Sequence, residues 1–157
     1  MDHDPDCVLC RGADADAELF RVETWSNDIW RLTTARVGEV AGFSYLEPRR
    51  HIASISDLDG EEAATLGSVL AGSTAAIRDA SGAGLVYVYV FGDNIPHLHL
   101  HLAPHREGGP LSSQMIKGSL HKTHLPTGEE IWSSDRYPLQ PPEIMDATIA
   151  DIRSQLG

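Results

Sequence analysis

The feature that most constrains this chain is a run in which three histidines alternate with leucines, His97-Leu98-His99-Leu100-His101-Leu102-Ala103. In a β-strand, residues two apart point to the same face. The run therefore predicts a strand over residues 97–103 with three imidazoles on one side, neighbouring rings about 6–7 Å apart, and the leucines on the other. Histidine can bind metals, transfer protons and act as a nucleophile, so three in register indicate a chemical site.

The remaining pattern predicts an α+β fold, in which helices pack on an antiparallel sheet. Apolar and β-branched segments bounded by turn residues predict strands at residues 19–24, 29–34, 41–47 and 85–91, besides the histidine run. Residues 126–142 are rich in proline and polar residues, which predicts an extended segment in a C-terminal arm. The order predicted is hairpin, strand, helix, two strands, arm and helix.

Two helices are expected. Asp59 and Glu62 have the spacing of a capping box, which predicts one long helix over residues 59–80. Its apolar face is predicted to contain Ala63, Leu66, Leu70 and Ile77. A second helix is predicted to begin at Pro141-Pro142, and its apolar stripe consists of Met145, Ile149, Ile152 and Leu156.

Length and charge narrow the classes of protein and partner. The 157 residues, 41% of them hydrophobic, suit a single domain over residues 1–157. A net charge of −11 without a basic stripe argues against a nucleic acid polymer as partner, but it leaves room for a small phosphorylated ligand. No apolar run approaches the ~18 residues of a membrane span, and the acidic first residues are unlike a signal peptide. We therefore expect a cytoplasmic protein with no membrane partner.

Cys7 and Cys10 are the two cysteines of the chain. Two are too few for a disulfide scaffold. Their Cys-x-x-Cys spacing suits one corner of a zinc site or a redox pair, and two unconnected thiols are a further alternative.

The alternating run resembles the signature of the histidine-triad (HIT) superfamily, His-φ-His-φ-His-φ-φ with φ hydrophobic, which residues 97–103 match in full. Pro48-Arg49-Arg50-His51, followed by Ser56-Asp57-Leu58 and the long helix, is also similar to that family. The resemblance covers about residues 7–105 and leaves about residues 106–157 as a C-terminal extension. It implies a HIT-like fold and, as is common in the family, a homodimer.

The resemblance implies a role for two of the histidines. His99 would attack the α-phosphorus of a nucleotide and form a nucleotidyl-histidine intermediate, which water or another acceptor resolves. His101 would contact the phosphate or the leaving group. Asn94-Ile95-Pro96 before the triad is similar to the branch of galactose-1-phosphate uridylyltransferases. That branch has glutamine where His101 stands, so the third histidine favours the hydrolase-like and phosphorylase-like branches.

The resemblance also implies a metal site. Some branches of the family place a metal-binding histidine at the position of His51 and use the first triad histidine, here His97, as a further ligand. With Cys7 and Cys10 these residues are a candidate Cys₂His₂ site for structural zinc.

The candidate substrate contacts also have local structural explanations. Asn94 stands where its side chain could donate to phosphoryl oxygens, and it suits a turn equally well. Asn27 and Asp28 lie at a hairpin turn where related folds place the nucleoside, and a solvated turn is the alternative. Further donors to a phosphate in the arm are Arg106, Gln114, Lys117 and Lys122.

Two other functions stay open at this point. The chain could be a non-catalytic module that binds a nucleotide or a metal. It could also be a metal-dependent hydrolase in which His97, His99 and His101 hold one ion. The nucleotide and the acceptor are not determined by the sequence.

Overall fold

A five-stranded antiparallel sheet in the order β1-β2-β3-β5-β4 positions the histidines. The computed structural model describes residues 2–109, 111–112, 115–116, 120–134 and 138–157. The strands of this sheet are β1 (Arg21–Ser26), β2 (Trp30–Ala35), β3 (Ser44–Pro48), β4 (Leu85–Tyr89) and β5 (Leu100–His105). The predicted order of elements and the α+β class are confirmed.

The helices are α1 (Ala13–Asp16), α2 (Gly60–Ser81) and α3 (Pro142–Leu156), with short 3₁₀ helices at Leu9–Arg11 and Ile55–Asp57. The two longer helices, α2 and α3, cover one face of the sheet, and the short helix α1 lies against the other. The long helix α2 contacts β3, β4 and β5, and α3 contacts α2 and β1. In the part of the chain that the structure describes, none of the helices is long and apolar enough to cross a membrane.

The two faces of the sheet differ sharply in chemistry. The face under α2 is mostly apolar and largely buried, and Trp30 on it donates from Nε1 to Thr65 Oγ1 at 2.9 Å. Burial of each large apolar side chain there contributes about 1.5–3 kcal/mol. The core of this face and its helices includes Leu32, Leu46, Leu100, Leu102, Ile77 and Ile152. Because alternate residues point the other way, the opposite face presents Arg31, Tyr45, Glu47 and His101.

A buried ion network fastens α1 to that opposite face. Arg21 donates to both carboxylate oxygens of Glu47, at 3.0 and 3.2 Å, and to Asp16 Oδ1 at 3.1 Å. Arg31 contacts Asp16 and Glu47 as well, and donates to Glu23 at 2.6 Å. A buried charge left without a partner is costly, so the mutual pairing holds the N-terminal segment, residues 2–20, against the strands.

The long helix is confirmed, but its predicted capping box is wrong. Asp59 Oδ1 accepts from the N–H of Gly60 at 2.7 Å, while Glu62 pairs with Arg50. The charge-assisted contact with Arg50 replaces the weaker bond from Glu62 to the backbone. A capping box forms instead at Ser54 and the 3₁₀ helix that follows it. Ala63, predicted on the apolar face, is exposed.

The strand that carries the triad begins and ends later than predicted. β5 starts at Leu100, because the preceding residues are held elsewhere: the N–H of Leu98 donates to the carbonyl of Ile52 at 2.7 Å. β5 also continues past Pro104. Leu102 is the last residue of β5 that pairs with β3. Beyond it β5 pairs only with β4 among the strands of this sheet, so Pro104 lies at an edge, where proline is tolerated.

The arm is more regular than predicted. It contains β6 (Leu111–Ser112), β7 (Met115–Ile116), β8 (Leu120–His124) and β9 (Glu130–Ser134), and β8 pairs with β9 as an antiparallel hairpin. A turn at residues 125–129 reverses the direction of the chain. As a result β9 pairs with β8 within the segment that was predicted to be extended. The predicted stripe of α3 is confirmed, since Met145, Ile149 and Ile152 are buried and Leu156 packs against the core.

Candidate active site and metal centre

The three triad histidines lie in two different surroundings. His97 is buried, with 2% of its surface exposed, whereas His99 and His101 are half-buried. The ring centroids of His99 and His101 are 5.2 Å apart. The ring of His97 lies 5.3 Å from that of His51 instead.

The cluster of Cys7, Cys10, His51 and His97 has the geometry of a metal site. All four candidate ligand atoms lie within 4.8 Å of one another. Cys10 Sγ is 3.3 Å from His51 Nδ1 and 3.4 Å from His97 Nδ1, and Cys7 Sγ is 3.6 Å from His97 Nδ1. Tetrahedral ligands at zinc bond lengths are about 3.3–3.8 Å from one another. The predicted four residues therefore come together as a cluster that can hold a metal ion.

Contacts around this cluster orient its ligands. His97 Nε2 donates to the carbonyl of Pro48 at 2.8 Å, which assigns the tautomer and leaves Nδ1 with its lone pair toward the thiols. Both ring nitrogens of His97 are thus committed, and neither is left for an ion shared with His99 and His101. The backbone N–H of Asp4 contacts Cys10 Sγ at 3.5 Å.

Burial sets the charge of the cluster when it holds no cation. Desolvation raises the pKa of the Cys10 thiol, and it lowers the pKa of His97. Both shifts favour uncharged side chains. A cation among them would reverse this for the thiols, because a coordinating thiol is deprotonated. Both cysteines are free of a disulfide, so both sulfurs are available as ligands.

His99 is held in one tautomer by a backbone contact. Its Nδ1 lies 2.7 Å from the carbonyl oxygen of His97. A carbonyl only accepts, so Nδ1 carries the proton of the neutral ring and Nε2 carries the free lone pair. That arrangement presents Nε2 as a potential nucleophile.

His101 is surrounded by aromatic rings. In the sheet it is the direct partner of Tyr45 on one side and Tyr89 on the other, with ring centroids 5.3 and 4.7 Å away. Burial, with a smaller contribution from His99, lowers the pKa of His101 to about 4. Its Nε2 is buried and makes no hydrogen bond to any residue that the structure describes. His101 is therefore neutral at neutral pH.

Of the predicted substrate contacts, Asn27 has an evident local role. Its Oδ1 accepts from the N–H groups of Ile29 and Trp30, at 2.9 and 2.6 Å, and so holds the turn between β1 and β2. Asp28 lines a shallow groove together with Arg49 and the start of α2, and none of the triad histidines lines that groove.

Asn94 is exposed in the bend before the triad. Substrate binding by Asn27, Asp28 and Asn94 stays a prediction. Gln114 and Lys117 lie outside the described residues.

Sequence reasoning missed the residues that surround the triad. The carbonyl of Pro48 and the aromatic rings at residues 43, 45, 89 and 91 were not anticipated. Aromatic residues recur at every second position in both segments, and that period-two pattern is the signal that could have placed them on the histidine face.

The sheet, its helices and the placement of the three histidines form the fold of histidine-triad structures, and the chain is similar to several solved structures of that fold. It is similar to a histidine triad protein from Bradyrhizobium japonicum, with a TM-score of 0.68 and 15% identity over 91% of this chain and 96% of that one. It is also similar to a Zn-bound histidine triad family protein from Mycobacterium smegmatis, with a TM-score of 0.63 and 17% identity over 96% and 92%.

A third similar structure is a hypothetical histidine triad nucleotide-binding protein from Sulfolobus tokodaii, with a TM-score of 0.63 and 19% identity over 96% of this chain and 91% of that one. No protein-family model matches the chain, and no curated protein matches it either. The chain therefore has the histidine-triad fold, as its resemblance to that superfamily predicted.

Proposed function

We propose that this chain is a nucleotidyl hydrolase or transferase that uses His99 as a covalent nucleophile. The observation that carries the proposal is the hydrogen bond from His99 Nδ1 to the carbonyl of His97, 2.7 Å long. It leaves the Nε2 lone pair free, which is what attack on phosphorus requires. A nucleotide as ligand is further supported by the similarity to a protein named as nucleotide-binding.

The reaction divides into two displacements. In the first, His99 Nε2 forms a bond to the α-phosphorus while the bond from phosphorus to the leaving group breaks, and the leaving group departs with the electron pair. In the second, water or another acceptor attacks the same phosphorus and loses its proton to solvent, the bond from phosphorus to Nε2 breaks, and His99 departs as neutral imidazole. The proton on Nδ1 stays in its bond to the His97 carbonyl through both steps. The substrate is a nucleoside phosphate ester, anhydride or phosphoramidate.

His101 would take part as a neutral ring. A pKa lowered to about 4 means that it brings no positive charge to the phosphate at neutral pH. It can instead donate one N–H to a phosphoryl or leaving-group oxygen. Its unpartnered Nε2 supports this role, because a bound oxygen would supply the missing hydrogen-bond partner.

We propose zinc as the ion of the cluster. Two thiolates and two imidazoles are the ligand set of structural zinc, and a similar structure is named as Zn-bound. Cys7, Cys10, His51 and His97 would hold it. With all four positions filled by protein, the ion would supply structural stability rather than a reactive water. Thiol ligands last in a reducing compartment, which supports a cytoplasmic location.

We also propose a homodimer formed through β4. This strand is at the edge of the sheet, and Leu85 and Val88 on it are 51% and 45% exposed. An exposed apolar edge strand is a template for pairing with another chain. Substitution Val88→Lys is expected to convert dimer to monomer in light scattering, and an unchanged mass would contradict this interface.

The covalent intermediate decides the proposed reaction. Rapid quenching with mixed nucleotides, followed by mass spectrometry of peptides, is expected to find a nucleotidyl adduct on His99. His99→Ala should lose at least about 10³-fold in turnover, because the nucleophile is removed, while keeping its metal content and its unfolding transition. Full activity in His99→Ala, or an adduct on another residue, would overturn the mechanism. Tight nucleotide binding without product would favour the non-catalytic alternative.

A further inference from the structure

Four aromatic side chains gather around His101, and we call them the aromatic cluster: Phe43, Tyr45, Tyr89 and Phe91. Their ring centroids lie 6.0, 5.3, 4.7 and 5.5 Å from that of His101, in the same order. Neighbouring members also contact each other, with 5.3 Å between Phe43 and Tyr45 and 5.0 Å between Tyr89 and Phe91. These spacings are those of favourable aromatic pairs.

The sheet register builds this cluster beside the candidate nucleophile. Tyr45 of β3 and Tyr89 of β4 are both direct partners of His101 of β5, so three rings form one row across three strands. The ring of His99 lies 5.2 Å from that of His101. One imidazole therefore separates the candidate nucleophile from the aromatic cluster.

The outermost ring of the cluster is open to solvent. Phe91 is 63% exposed, the highest exposure among the large apolar side chains that the structure describes, whereas Tyr45 and Tyr89 are half-buried. An aromatic ring left in water next to other rings loses both its burial and its possible face contacts. A planar group placed on Phe91 would recover both.

We propose that the aromatic cluster is a subsite that stacks a planar ring of the nucleotide substrate on Phe91. This rests on the proposed reaction only for the position of the phosphorus, at His99. The ring has two possible sources: the base of the nucleotide that is transferred, or an aromatic leaving group. Stacking is tolerant of which ring is present, because every base has a π-face, so the cluster would select planarity over hydrogen-bond pattern.

The test measures binding without turnover, in a His99→Ala background. Calorimetry compares phenyl and cyclohexyl esters of adenosine and guanosine 5′-monophosphate, which differ in planarity but little in size. Stacking of the leaving group predicts about 3- to 10-fold tighter binding of the phenyl esters. A second pair, the nucleotides themselves against ribose 5-phosphate, reports stacking of the base.

Two variants locate the preference. Phe91→Ala and Phe91→Leu should each abolish the preference of whichever pair shows one, and the leucine variant keeps an apolar side chain if the alanine variant folds poorly. Phe20→Ala is the matched control, because Phe20 is also exposed, at 44%, but makes no ring contact with the triad. Its preference should equal that of the parent.

The proposal is overturned if neither pair of ligands shows a preference for the planar member, or if the preference survives in both Phe91 variants. A change in oligomeric state alone, with the ring preference intact, would mean that Phe91 serves contact between subunits and would also overturn it. These outcomes are independent of the proposed reaction, which is tested separately by the adduct on His99 in the native protein and by the activity of His99→Ala.

Discussion

The two ends of the histidine triad show how neighbouring positions of one short motif acquire different chemistry. At the His97 end the ring is buried, its Nε2 bonded to Pro48 and its Nδ1 facing two thiols. At the His101 end the ring lies among aromatic side chains, and its Nε2 has no partner among the described residues. The first end is polar and fully bonded, and the second is apolar and incomplete.

The difference arises because each histidine is contacted by a different part of the chain that packs against the motif. His97 is completed by the N-terminal segment, which brings Cys7 and Cys10. His101 is surrounded by rings from the adjacent strands β3 and β4 and the residues that flank them. His99 lies between the two ends and donates a hydrogen bond from Nδ1 to the carbonyl of His97. The backbone at the Cys₂His₂ cluster therefore supplies the carbonyl that orients the candidate nucleophile.

The largest effect is expected from removal of a cluster ligand. Cys10→Ser should lower metal affinity by more than the 10- to 100-fold that follows loss of an outer-shell contact, because Cys10 Sγ is a direct ligand candidate within 3.4 Å of both imidazoles. Metal content by elemental analysis after dialysis against a chelator measures this.

Two controls separate the ends of the triad. His3→Gln changes an exposed residue whose ring lies 3.1 Å from the backbone carbonyl of Cys10 and is not one of the four candidate ligands, so this variant should retain the metal. His101→Gln should retain it as well. Loss of metal in His101→Gln with retention in Cys10→Ser would contradict the Cys₂His₂ cluster and support an ion shared by the three triad histidines.

The second largest effect is expected on the unfolding free energy of the metal-free protein, in which the buried ion network of Asp16 holds the N-terminal segment on the sheet. Asp16→Ala leaves Arg21 and Arg31 short of a buried partner, and breaking such a pair costs about 3–5 kcal/mol. Urea unfolding of the metal-free protein measures the loss. Glu18→Ala is the matched control on the same segment, since its pair with Arg11 is 37–39% exposed and is screened by solvent, so its loss should change the unfolding free energy little. Equal losses in the two variants would mean that the network does not fasten the segment.

The parts of the fold and site that depend on residue spacing within one segment could be predicted from the sequence. The alternation of residues 97–103 indicated a chemical site on this strand, and the long helix and the stripe of α3 followed from periodicity. These features depend on local spacing, which a sequence displays directly. The joining of Cys7 and Cys10 with His51 and His97, which the structure brings together, rested instead on the resemblance.

The rest depends on pairing between distant segments. That β5 begins only at Leu100 follows from the bond between Leu98 and Ile52, and the capping box failed because Arg50 attracts Glu62. The aromatic cluster requires the register that sets Tyr45 and Tyr89 opposite His101. No spacing within one segment contains that register, so the period-two pattern could place these rings on the histidine face but could not set them opposite His101.

The smallest effect is expected on the pH dependence of the unfolding free energy, which tests whether His101 is enclosed by apolar side chains. The folded protein holds the pKa of His101 at about 4, below its ordinary value of 6.5, because burial penalises the charged ring. As pH falls below 6.5, the unfolded chain gains a proton that the folded protein does not bind until about pH 4. The unfolding free energy should therefore fall by about 1 kcal/mol per pH unit across that window from this residue.

His101→Gln should remove this contribution, so the difference between parent and variant in urea unfolding should change between pH 6 and pH 4.5 and stay constant above about pH 7.5. Metal release and the titration of groups that do not interact with His101 are common to both proteins and cancel in the difference. His99, 5.2 Å away, is coupled to His101, and its contribution is the smaller of the two causes of the shift. His124→Gln, at a ring that is 67% exposed, should follow the parent throughout. If His101→Gln also follows the parent, the ring takes up its proton in the folded state, and the contrast between a bonded His97 and a neutral, enclosed His101 does not hold in solution.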